Sequence, residues 1–538
     1  MSRARTIRAG LLATGIACLC LLALLVRGES SRAASSKPNI IMFTTDDQTL
    51  RDMSVLPKTQ ALIGNAGATF LKAFASDPLC CPSRVTVQTG EYAHNTDVLG
   101  NTPPHGGYES FNDQNDLPVW LQAAGYRTIH IGKMPNGFPE TKGDTYVPPG
   151  WGPFAGGIGP ASKGEFYGFL GPPSSYTDIR LDENGIPHQY GPDDYSTDVY
   201  ADLAVSRINS HLTNFPNTPL YMQVQFFAPH DPSTPSPKYA GAFATVPLPI
   251  DASFNEKNVN DKPGWIRAIR RFGPGLIAKI QGRYQHRLET LLSVDDAVER
   301  VVGELAARGA LANTYLIFTS DQGIMQGQHR LHQGKFVAYD PSTQVPLEIR
   351  GPGIPAGSQP GALVWNGDIT STILQAAGAS ANLPQDGRSL LPFAADPLMK
   401  STRPILFETG PPGGVFEPGT TATASRGGRQ AKLSTYVKNT DLDHTAQLAR
   451  AIVAPRYRGI RTGRYLLVKY SDGSREMYDL LHDPLELRSV YKNSRYFPVR
   501  KFLQKKLAAL EKCSGAICST EIGKPPKPLL KRKKHPQQ

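Results

Sequence analysis

Several features that would assign a class at once are missing from this chain. No internal repeat is visible, which argues against a solenoid or another repeat architecture. No Asn-x-Ser/Thr acceptor occurs, which favours a bacterial exported protein over a glycosylated one. No nucleic-acid-binding motif accompanies the net charge of +12, so neither DNA nor RNA is expected as a partner.

Long apolar runs are also scarce, and the clearest one lies at residues 11–26. Arginines precede it, and Ser31-Arg32-Ala33-Ala34 follows it, which is the pattern of a secretory signal with a small-residue cleavage site. We therefore predict a signal peptide over residues 1–34 and a secreted, periplasmic or cell-surface protein. An uncleaved membrane anchor is the alternative, although the run is short for a bilayer.

Cysteine is rare, with six in 538 residues, and two of the six lie inside the predicted signal. Cys513 and Cys518 are separated by four residues and are predicted to form a disulfide in an oxidising compartment. Cys80 and Cys81 are adjacent, and a disulfide between them would be strained.

The remaining composition, 40% hydrophobic and 19% charged, is that of a globular protein long enough for a large core and a second domain. Apolar strand-like runs alternate with helical stretches, which predicts an α/β layer fold. The predicted strands are 38–45, 128–131, 220–227 and 315–320, and the predicted helices are 117–124, 198–212 and 291–307.

Polar groups follow these strands directly. They are Asp46-Asp47-Gln48, Gly132-Lys133, Ala228-Pro229-His230 and Asp321-Gln322-Gly323. Because ligands of open α/β sheets bind beyond the carboxyl ends of the strands, we expect these groups to share one site.

The pattern changes near residue 395. Residues 410–428 are rich in Gly, Pro, Thr and Ala and are predicted to form a loop or insertion. Short strands at 457–460, 465–470 and 475–480 and a helix at 502–513 follow, with a hairpin turn at Ser471-Asp472-Gly473. We predict a catalytic domain over 35–395 and a smaller α+β domain with an antiparallel sheet over 396–523.

Residues 524–538 are predicted to be a disordered basic tail, in which Lys531, Arg532, Lys533 and Lys534 stand together. A polyanionic sugar or an acidic cell surface is the expected contact of such a tail. A solvated tail without a specific partner is the alternative.

The most informative stretch is 80–90, Cys-Cys-Pro-Ser-Arg-Val-Thr-Val-Gln-Thr-Gly. Pro82 is favoured in the first turn of a helix, so Cys80 is predicted to lie at a helix N-terminus. Such a position predicts an acidic, reactive thiol, with a buried structural cysteine as the alternative.

Cys-x-Pro-Ser-Arg followed by Thr89-Gly90 resembles the signature of the type I sulfatases. In that family a formylglycine-generating enzyme oxidises the first cysteine to formylglycine, an aldehyde that is hydrated at rest. The resemblance implies that Cys80 is modified, that Cys81 is the variable position, and that Arg84 holds the hydrated aldehyde.

The resemblance also implies a calcium site. Asp46, Asp47 and Asp321 are hard oxygen ligands predicted to converge, and two lysines are their nearest expected counter-charges. In the family the metal also binds the formylglycine, here at Cys80. Gln322 stands where the family has Asn or His, and its amide oxygen is a candidate ligand.

Other positions match family elements that contact the sulfate. Lys133 follows Gly132 as in the family, His230 lies in Ala-Pro-His, and Lys335 has the spacing of a second lysine. These three are predicted to be catalytic, the lysines by neutralising the sulfuryl group and His230 by contacting or protonating the bridging oxygen.

Two further positions are predicted to contact substrate. Many arylsulfatases have a histidine where this chain has Pro135, and the following Asn136 is closer to the N-acetylglucosamine-6-sulfatase branch. His329 lies in a Gly-x-His found in several sulfatases. The structural role that a histidine more often has is the alternative for His329.

The resemblance spans about residues 38–518 and implies the alkaline-phosphatase-like fold, an α/β sandwich with a central mixed sheet. It implies an exported sulfatase that hydrolyses carbohydrate sulfate esters by covalent catalysis with calcium. A phosphate or phosphonate ester hydrolase of the same superfamily and a non-catalytic sulfated-glycan-binding protein are the competing hypotheses.

Overall fold

The computed structural model describes residues 37–139, 141–151, 164–170, 176–410 and 454–530. The predicted signal peptide, nearly all of the predicted loop at 410–428 and the last eight residues of the predicted tail lie outside the described residues. Residues from Pro38 onward belong to one compact unit, and the boundary near residue 395 stays a prediction. No helix among the described residues is long and apolar enough to cross a membrane.

Within the described residues, the strands form three sheets, of nine, three and four strands. In chain order they are β1 (Asn39–Thr45), β2 (Ala68–Thr69), β3 (Ala73–Phe74), β4 (Arg127–Gly132), β5 (Gly164–Phe169), β6 (Arg180–Glu183), β7 (Pro187–Gln189), β8 (Leu220–Gln225), β9 (Thr314–Ser320), β10 (Gln344–Val345), β11 (Leu347–Arg350), β12 (Val364–Trp365), β13 (Ile405–Glu408), β14 (Tyr457–Arg461), β15 (Tyr465–Tyr470) and β16 (Arg475–Asp479).

The nine-stranded sheet has the order β2-β11-β9-β1-β8-β4-β5-β6-β7. Its five central strands are parallel, and antiparallel strands flank them on both sides. The predicted central mixed sheet is therefore confirmed. The central strands are apolar runs because helices cover both faces of a parallel sheet.

The α-helices surround this sheet and the smaller ones. They are Pro57–Thr59, Cys80–Thr89, Ala93–Thr96, Leu117–Ala123, Ser196–Asn214, Gly264–Arg267, Pro274–Ala307, Asp340–Thr343, Gly367–Ala377, Leu391–Ala395 and Phe497–Leu510. The short 3-10 helices are Leu50–Val55, Tyr108–Ser110, Leu311–Asn313, Ser494–Tyr496 and Gly515–Ser519, and a π-helix spans Gln60–Gly64.

The helix predicted at 291–307 begins at Pro274 instead, so the predicted start was wrong. Its first half has a narrow apolar stripe in which Ile280, Tyr284 and Leu288 recur every four residues and pack in their own small cluster. Only the second half carries the dense apolar run that the sequence makes visible.

Two cores lie on opposite faces of the large sheet. Ile40 and Met42 of β1 point into one core, and Ile41 and Phe43 point into the other, as the two-residue period of a strand requires. Cys81 and Val85 of the helix Cys80–Thr89 pack in the first core. The result is a helix–sheet–helix sandwich, which confirms the predicted α/β sandwich.

The four-stranded sheet is antiparallel, in the order β13-β14-β15-β16. The three predicted strands are confirmed, and Gly473 takes a positive φ of 91° in the predicted hairpin turn. The edge strand β13 was missed, because it precedes its partner by about fifty residues and forms no local hairpin signal.

The last helix, Phe497–Leu510, starts at Phe497 rather than at residue 502 and ends at Leu510 rather than at residue 513. Its Val499, Leu503 and Leu507 pack in the same core as the four-stranded sheet. Beyond it, Cys513 and Cys518 are joined by a disulfide in the structure.

Candidate active site

The central parallel strands end at one edge of the sheet. The register pairs Thr45 at the end of β1 with Ser320 at the end of β9, so the residues that follow these two strands lie side by side at the same edge of the sheet. Asp46 and Asp47 therefore lie beside Asp321. The predicted meeting of polar groups at the strand ends is what this register produces.

Cys80 begins the helix Cys80–Thr89, as predicted, and is buried. Its Sγ lies 2.9 Å from Lys335 Nζ, 3.5 Å from Gln322 Nε2 and 3.8 Å from Asp46 Oδ1. The thiol therefore points at the group of residues that follow β1 and β9.

The expectation of an acidic thiol was wrong. Burial raises the pKa of the Cys80 thiol to about 11, against the opposing charges of Lys133 and Lys335. A helix N-terminus favours a thiolate only where the thiolate keeps enough solvation, and this one is enclosed by protein. The geometry therefore places a neutral thiol among ionised side chains.

Three buried carboxyl groups converge next to Cys80. One oxygen from each of Asp46, Asp47 and Asp321 lies within 4.8 Å of the other two. Burial alone would raise the pKa of Asp46, but Lys133 and the other cations hold it well below its usual range. Burial and the Asp46 charge raise the pKa of Asp321 to about 6, against the charge of Arg84.

Three cations, rather than the two expected lysines, face these carboxylates. Arg84 places Nε 3.0 Å and Nη2 2.9 Å from Asp321 Oδ2. Lys133 pairs with Asp46, and Lys335 pairs with Asp47. The sequence did not indicate that Arg84 would pair with these carboxylates. Its contact with Asp321 from the second turn of the helix depends on tertiary packing.

The donor set fits a calcium ion. Asp46, Asp47 and Asp321 offer oxygen atoms within the span of one cation, and hard oxygen ligands are those that calcium prefers. The Oε1 of Gln322 is buried without a hydrogen-bond partner, while its Nε2 lies 2.5 Å from Asp47 Oδ1. An orphaned amide oxygen beside three carboxylates is an available fourth ligand.

His230 lies at the open side of the site, with about a quarter of its side chain exposed. Its Nδ1 is 2.7 Å from the carbonyl oxygen of Asp231, which fixes the proton on Nδ1 in the neutral ring. Its Nε2 is 3.8 Å from Asp47 Oδ2 and faces the site. His230 is therefore placed to hold or release a proton at Nε2.

The structure gives one of the two predicted substrate contacts, His329, a buried structural environment. His329 is buried, with Nδ1 2.7 Å from Glu256 Oε2 and its ring 4.3 Å from that of Tyr339. Burial and Lys262 hold the pKa of His329 well below its usual range. This is the structural role that the sequence left open as an alternative.

Asn136 is half-buried, and its carbonyl oxygen accepts a hydrogen bond from the backbone N–H of Tyr108. Its side-chain Oδ1 is buried without a hydrogen-bond partner. The backbone of Asn136 lies close to the thiol of Cys81, the neighbour of the site cysteine. A substrate contact by Asn136 stays a prediction.

Three site residues were not predicted. Ser83 donates to the carbonyl of Asp321, Gln225 Oε1 accepts from Arg84 Nη1 at 3.0 Å, and Arg287 Nη2 donates to the carbonyl of Asp47 at 2.6 Å. Gln225 ends β8, so the strand-end rule would have found it if the strand had not been extended to residue 227. Arg287 sits in the middle of a long helix, and no local signal indicates it.

Gln225 positions Arg84, and its loss should lower turnover. Gln225→Leu removes the nearer acceptor of Arg84 Nη1 and leaves it only the carbonyl oxygen of Lys133 at 3.4 Å, and we expect kcat to fall about tenfold or more. Gln88→Leu is the matched control, since Gln88 bonds to Gln223 and not to Arg84. Equal kcat for the two variants, measured beside their thermal unfolding, would remove the positioning role.

The fold is an α/β sheet covered by helices on both faces. Carboxylates, lysines, an arginine and a histidine surround one helix N-terminus at its edge. This combination is typical of a hydrolase of anionic esters. The sulfatase family model matches residues 24–379, and a model described as N-sulphoglucosamine sulphohydrolase, C-terminal, matches residues 436–513. The chain belongs to the sulfatase family and is a sulfuric ester hydrolase.

Two relatives illustrate the range of the match. An arylsulfatase of Volvox carteri is 32% identical over 549 residues, which cover 94% of this chain and 79% of that protein. The human N-acetylglucosamine-6-sulfatase is 36% identical over 376 residues, which cover 67% of this chain and 65% of that protein. The chain thus matches slightly less than two thirds of the length of the human protein.

Solved structures show the same fold. BT4656, in complex with its substrate D-glucosamine-2-N,6-O-disulfate, has a TM-score of 0.66 at 23% identity, covering 88% of this chain and 98% of that one. A phosphonate monoester hydrolase of Agrobacterium radiobacter has a TM-score of 0.63 at 20% identity, covering 88% and 95%. The predicted sulfatase fold is therefore confirmed.

Proposed function

We propose that this protein is an exported sulfatase that removes sulfate from carbohydrates, with a formylglycine at position 80 and a bound calcium ion. The observation that carries the proposal is the position of Cys80. Cys80 is the first residue of a buried helix, and its Sγ lies within 3.8 Å of side-chain atoms of Asp46, Gln322 and Lys335. A structural cysteine has no need of such neighbours.

The raised pKa of the thiol argues against a thiolate nucleophile at position 80. A formylglycine at position 80 supplies, when hydrated, an oxygen nucleophile and a second hydroxyl on the same carbon. In formylglycine an oxygen takes the place of Sγ on the β-carbon of residue 80. The contacts of the Cys80 Sγ are therefore the contacts expected for the reactive oxygen. A formylglycine-generating enzyme is the partner required for maturation.

The charges of the site suit a sulfate ester. Three carboxylates face three cations, so the side chains alone are balanced. A calcium ion would be held by Asp46, Asp47, Asp321 and Gln322. Its positive charge would stabilise the singly charged sulfate ester and the negative charge that develops on the transferring sulfuryl group.

The chain's own residues have distinct tasks. Lys335, 2.9 Å from the Cys80 side chain, and Lys133, on Asp46, stabilise negative charge on the transferring sulfuryl group. Arg84 fixes Asp321 and also lies 3.6 Å from Asp46. In its imidazolium form, His230 keeps the Nδ1 proton on the carbonyl oxygen of Asp231 and donates the Nε2 proton to the leaving oxygen.

The sugar preference rests on the relatives. The human relative is named for N-acetylglucosamine 6-sulfate, and a Drosophila melanogaster relative, 33% identical, is named an extracellular sulfatase. Together with the predicted signal at 1–34 and Asn136, these names favour an exported enzyme for 6-sulfated N-acetylglucosamine. The basic tail beyond residue 523 is a candidate polyanion contact.

A substrate panel tests this proposal. We expect sulfate release from N-acetylglucosamine 6-sulfate to exceed release from other sugar sulfates, with small aryl sulfates hydrolysed less selectively. Aryl phosphate, assayed beside aryl sulfate, should be the poorer substrate because the chain matches the sulfatase family model. Brisk turnover of choline or alkyl sulfates with none from any sugar sulfate would refute the carbohydrate assignment, and faster aryl phosphate turnover would favour the phosphate ester hydrolase.

A further inference from the structure

The positive charge of this chain is concentrated at its C-terminal end. Residues 487–538 contain 14 of the 58 lysines and arginines but only 2 of the 46 aspartates and glutamates, Glu511 and Glu521. The 486 residues before them hold 44 basic and 44 acidic side chains. The whole net charge of +12 therefore arises from the last tenth of the chain.

Within the described residues, this end brings three segments together. The guanidinium of Arg500 lies 5.0 Å from the ring of Tyr491, which joins the last helix to the segment before it. Leu529 N–H donates to the carbonyl of Arg495 at 2.8 Å, and Arg495 Nε donates back to the carbonyl of Leu529 at 2.9 Å. The final segment is thereby fastened beside the start of the helix.

Six exposed lysines lie on these segments, and together we name them the C-terminal basic surface. They are Lys492, Lys501, Lys505, Lys512, Lys524 and Lys527. On the helix, Val499 and Leu503 face the core, and at 3.6 residues per turn Lys501 and Lys505 lie on the opposite side. The charges therefore point to solvent.

Folding does not account for these lysines. Lys501 and Lys505 are a like-charged pair at i,i+4, which destabilises a helix, and Lys501 is too far from the last turn to gain from the helix dipole. None of the six makes an ion pair with another described residue. Glu511 is already 2.9 Å from Lys469, and Glu521 is 2.8 Å from Arg388.

We propose that the C-terminal basic surface binds a linear sulfated polysaccharide. Charge complementarity selects a polyanion, and a helix that binds a membrane must offer an apolar face, whereas Val499, Leu503 and Leu507 are already in the core. Choosing a sulfated polysaccharide among polyanions rests on the proposed function. Binding itself requires no turnover.

Such a surface raises the local concentration of a polymeric substrate. A polymer held at a second position returns to the active site more often, which lowers its KM. A monosaccharide sulfate is too small to reach both positions and gains nothing. The surface therefore separates polymeric from small substrates.

The test compares two triple variants of the full-length protein that lose the same charge. Lys501→Gln/Lys505→Gln/Lys512→Gln removes half of the surface, and Lys72→Gln/Lys279→Gln/Lys400→Gln removes exposed lysines elsewhere. We expect the first to bind immobilised heparin about tenfold more weakly, with a salt dependence lowered by about three ions, and the control to match the wild type. Thermal unfolding of both should equal the wild type.

Equal heparin binding by the two triple variants would overturn the proposal. So would tighter binding of wild type to anionic phosphatidylserine vesicles, or to duplex DNA, than to heparin at the same salt concentration. Cys80→Ala should bind heparin like the wild type, so a protein without sulfatase turnover still tests this surface. Heparin binding that depends on these lysines, without any sugar-sulfate hydrolysis, would leave the surface standing and remove the proposed function.

Discussion

Cys80→Ala should abolish turnover of sulfate esters, because the nucleophile of the proposed mechanism derives from this side chain. We expect kcat/KM to fall at least about a thousandfold, roughly 4 kcal/mol of transition-state stabilisation. The loss should appear with the fold intact, as thermal unfolding and circular dichroism would show. Cys80 packs in a polar site rather than in the apolar core, so its truncation leaves no large cavity.

The neighbouring cysteine is the matched control. Cys81 is fully buried in the core on one face of the sheet, and Cys81→Ala should cost on the order of 1 kcal/mol of stability and little activity. Cys80→Ser should fail to turn over, since a single hydroxyl lacks the second oxygen that the proposed release of sulfate requires. Normal activity of Cys80→Ala, or loss only in Cys81→Ala, would show that the site is wrongly assigned.

Asp321→Asn should be the next most damaging change. Asp321 accepts from Arg84 through Oδ2 and from the backbone N–H of Asp47 through Oδ1, and it is one of the proposed calcium ligands. The amide cannot serve both donors, and it removes one negative charge from the cation site. We expect turnover to fall at least about a hundredfold, together with calcium affinity measured by titration calorimetry.

Asp182→Asn is a control of the same kind in another place. Asp182 is also buried, burial likewise raises its pKa to about 6, and it lies on β6 near the far edge of the sheet. Its variant should keep calcium binding and turnover.

Chelator-treated wild type should lose activity and its calcium-dependent rise in unfolding temperature, and added calcium should restore both. Full activity in metal-free protein would contradict the calcium site.

Gln322→Asn should be tolerated at the same site. Asparagine is the residue that the sulfatase resemblance places here, and it keeps an amide oxygen for the cation. Its shorter side chain loses the contact of Nε2 with Cys80 Sγ, which the proposed mechanism does not use.

Local sequence patterns were sufficient for four central strands of the large sheet, β1, β4, β8 and β9, and for most of the residues directly after them. β1 is a continuous apolar run followed by Asp46 and Asp47, and the edge at which parallel strands end is fixed once their direction is known. The same reasoning could not find Arg287, because its contact with the carbonyl of Asp47 joins residues 240 positions apart. Nor could it find β13, which pairs across a long intervening segment.

Burial explains the two site expectations that the structure does not support. The helix N-terminus suggested an acidic Cys80, but the depth of the thiol, which no local pattern shows, reverses the direction of the pKa shift. His329 fits a family motif, yet it is enclosed with Glu256 and Tyr339. In both cases the motif was identified from the sequence, but the burial of the side chain could not be predicted from it.

The most direct test of the account is the mass of the peptide that contains residue 80, taken from protein produced together with a formylglycine-generating enzyme. We predict a peptide in which the CH2SH of Cys80 is replaced by an aldehyde, with fragment ions that place the change at Cys80 and not at Cys81, and with hydrazide labelling at the same residue. An unmodified Cys80 in a protein that hydrolyses sulfate esters at full rate would contradict the central claim.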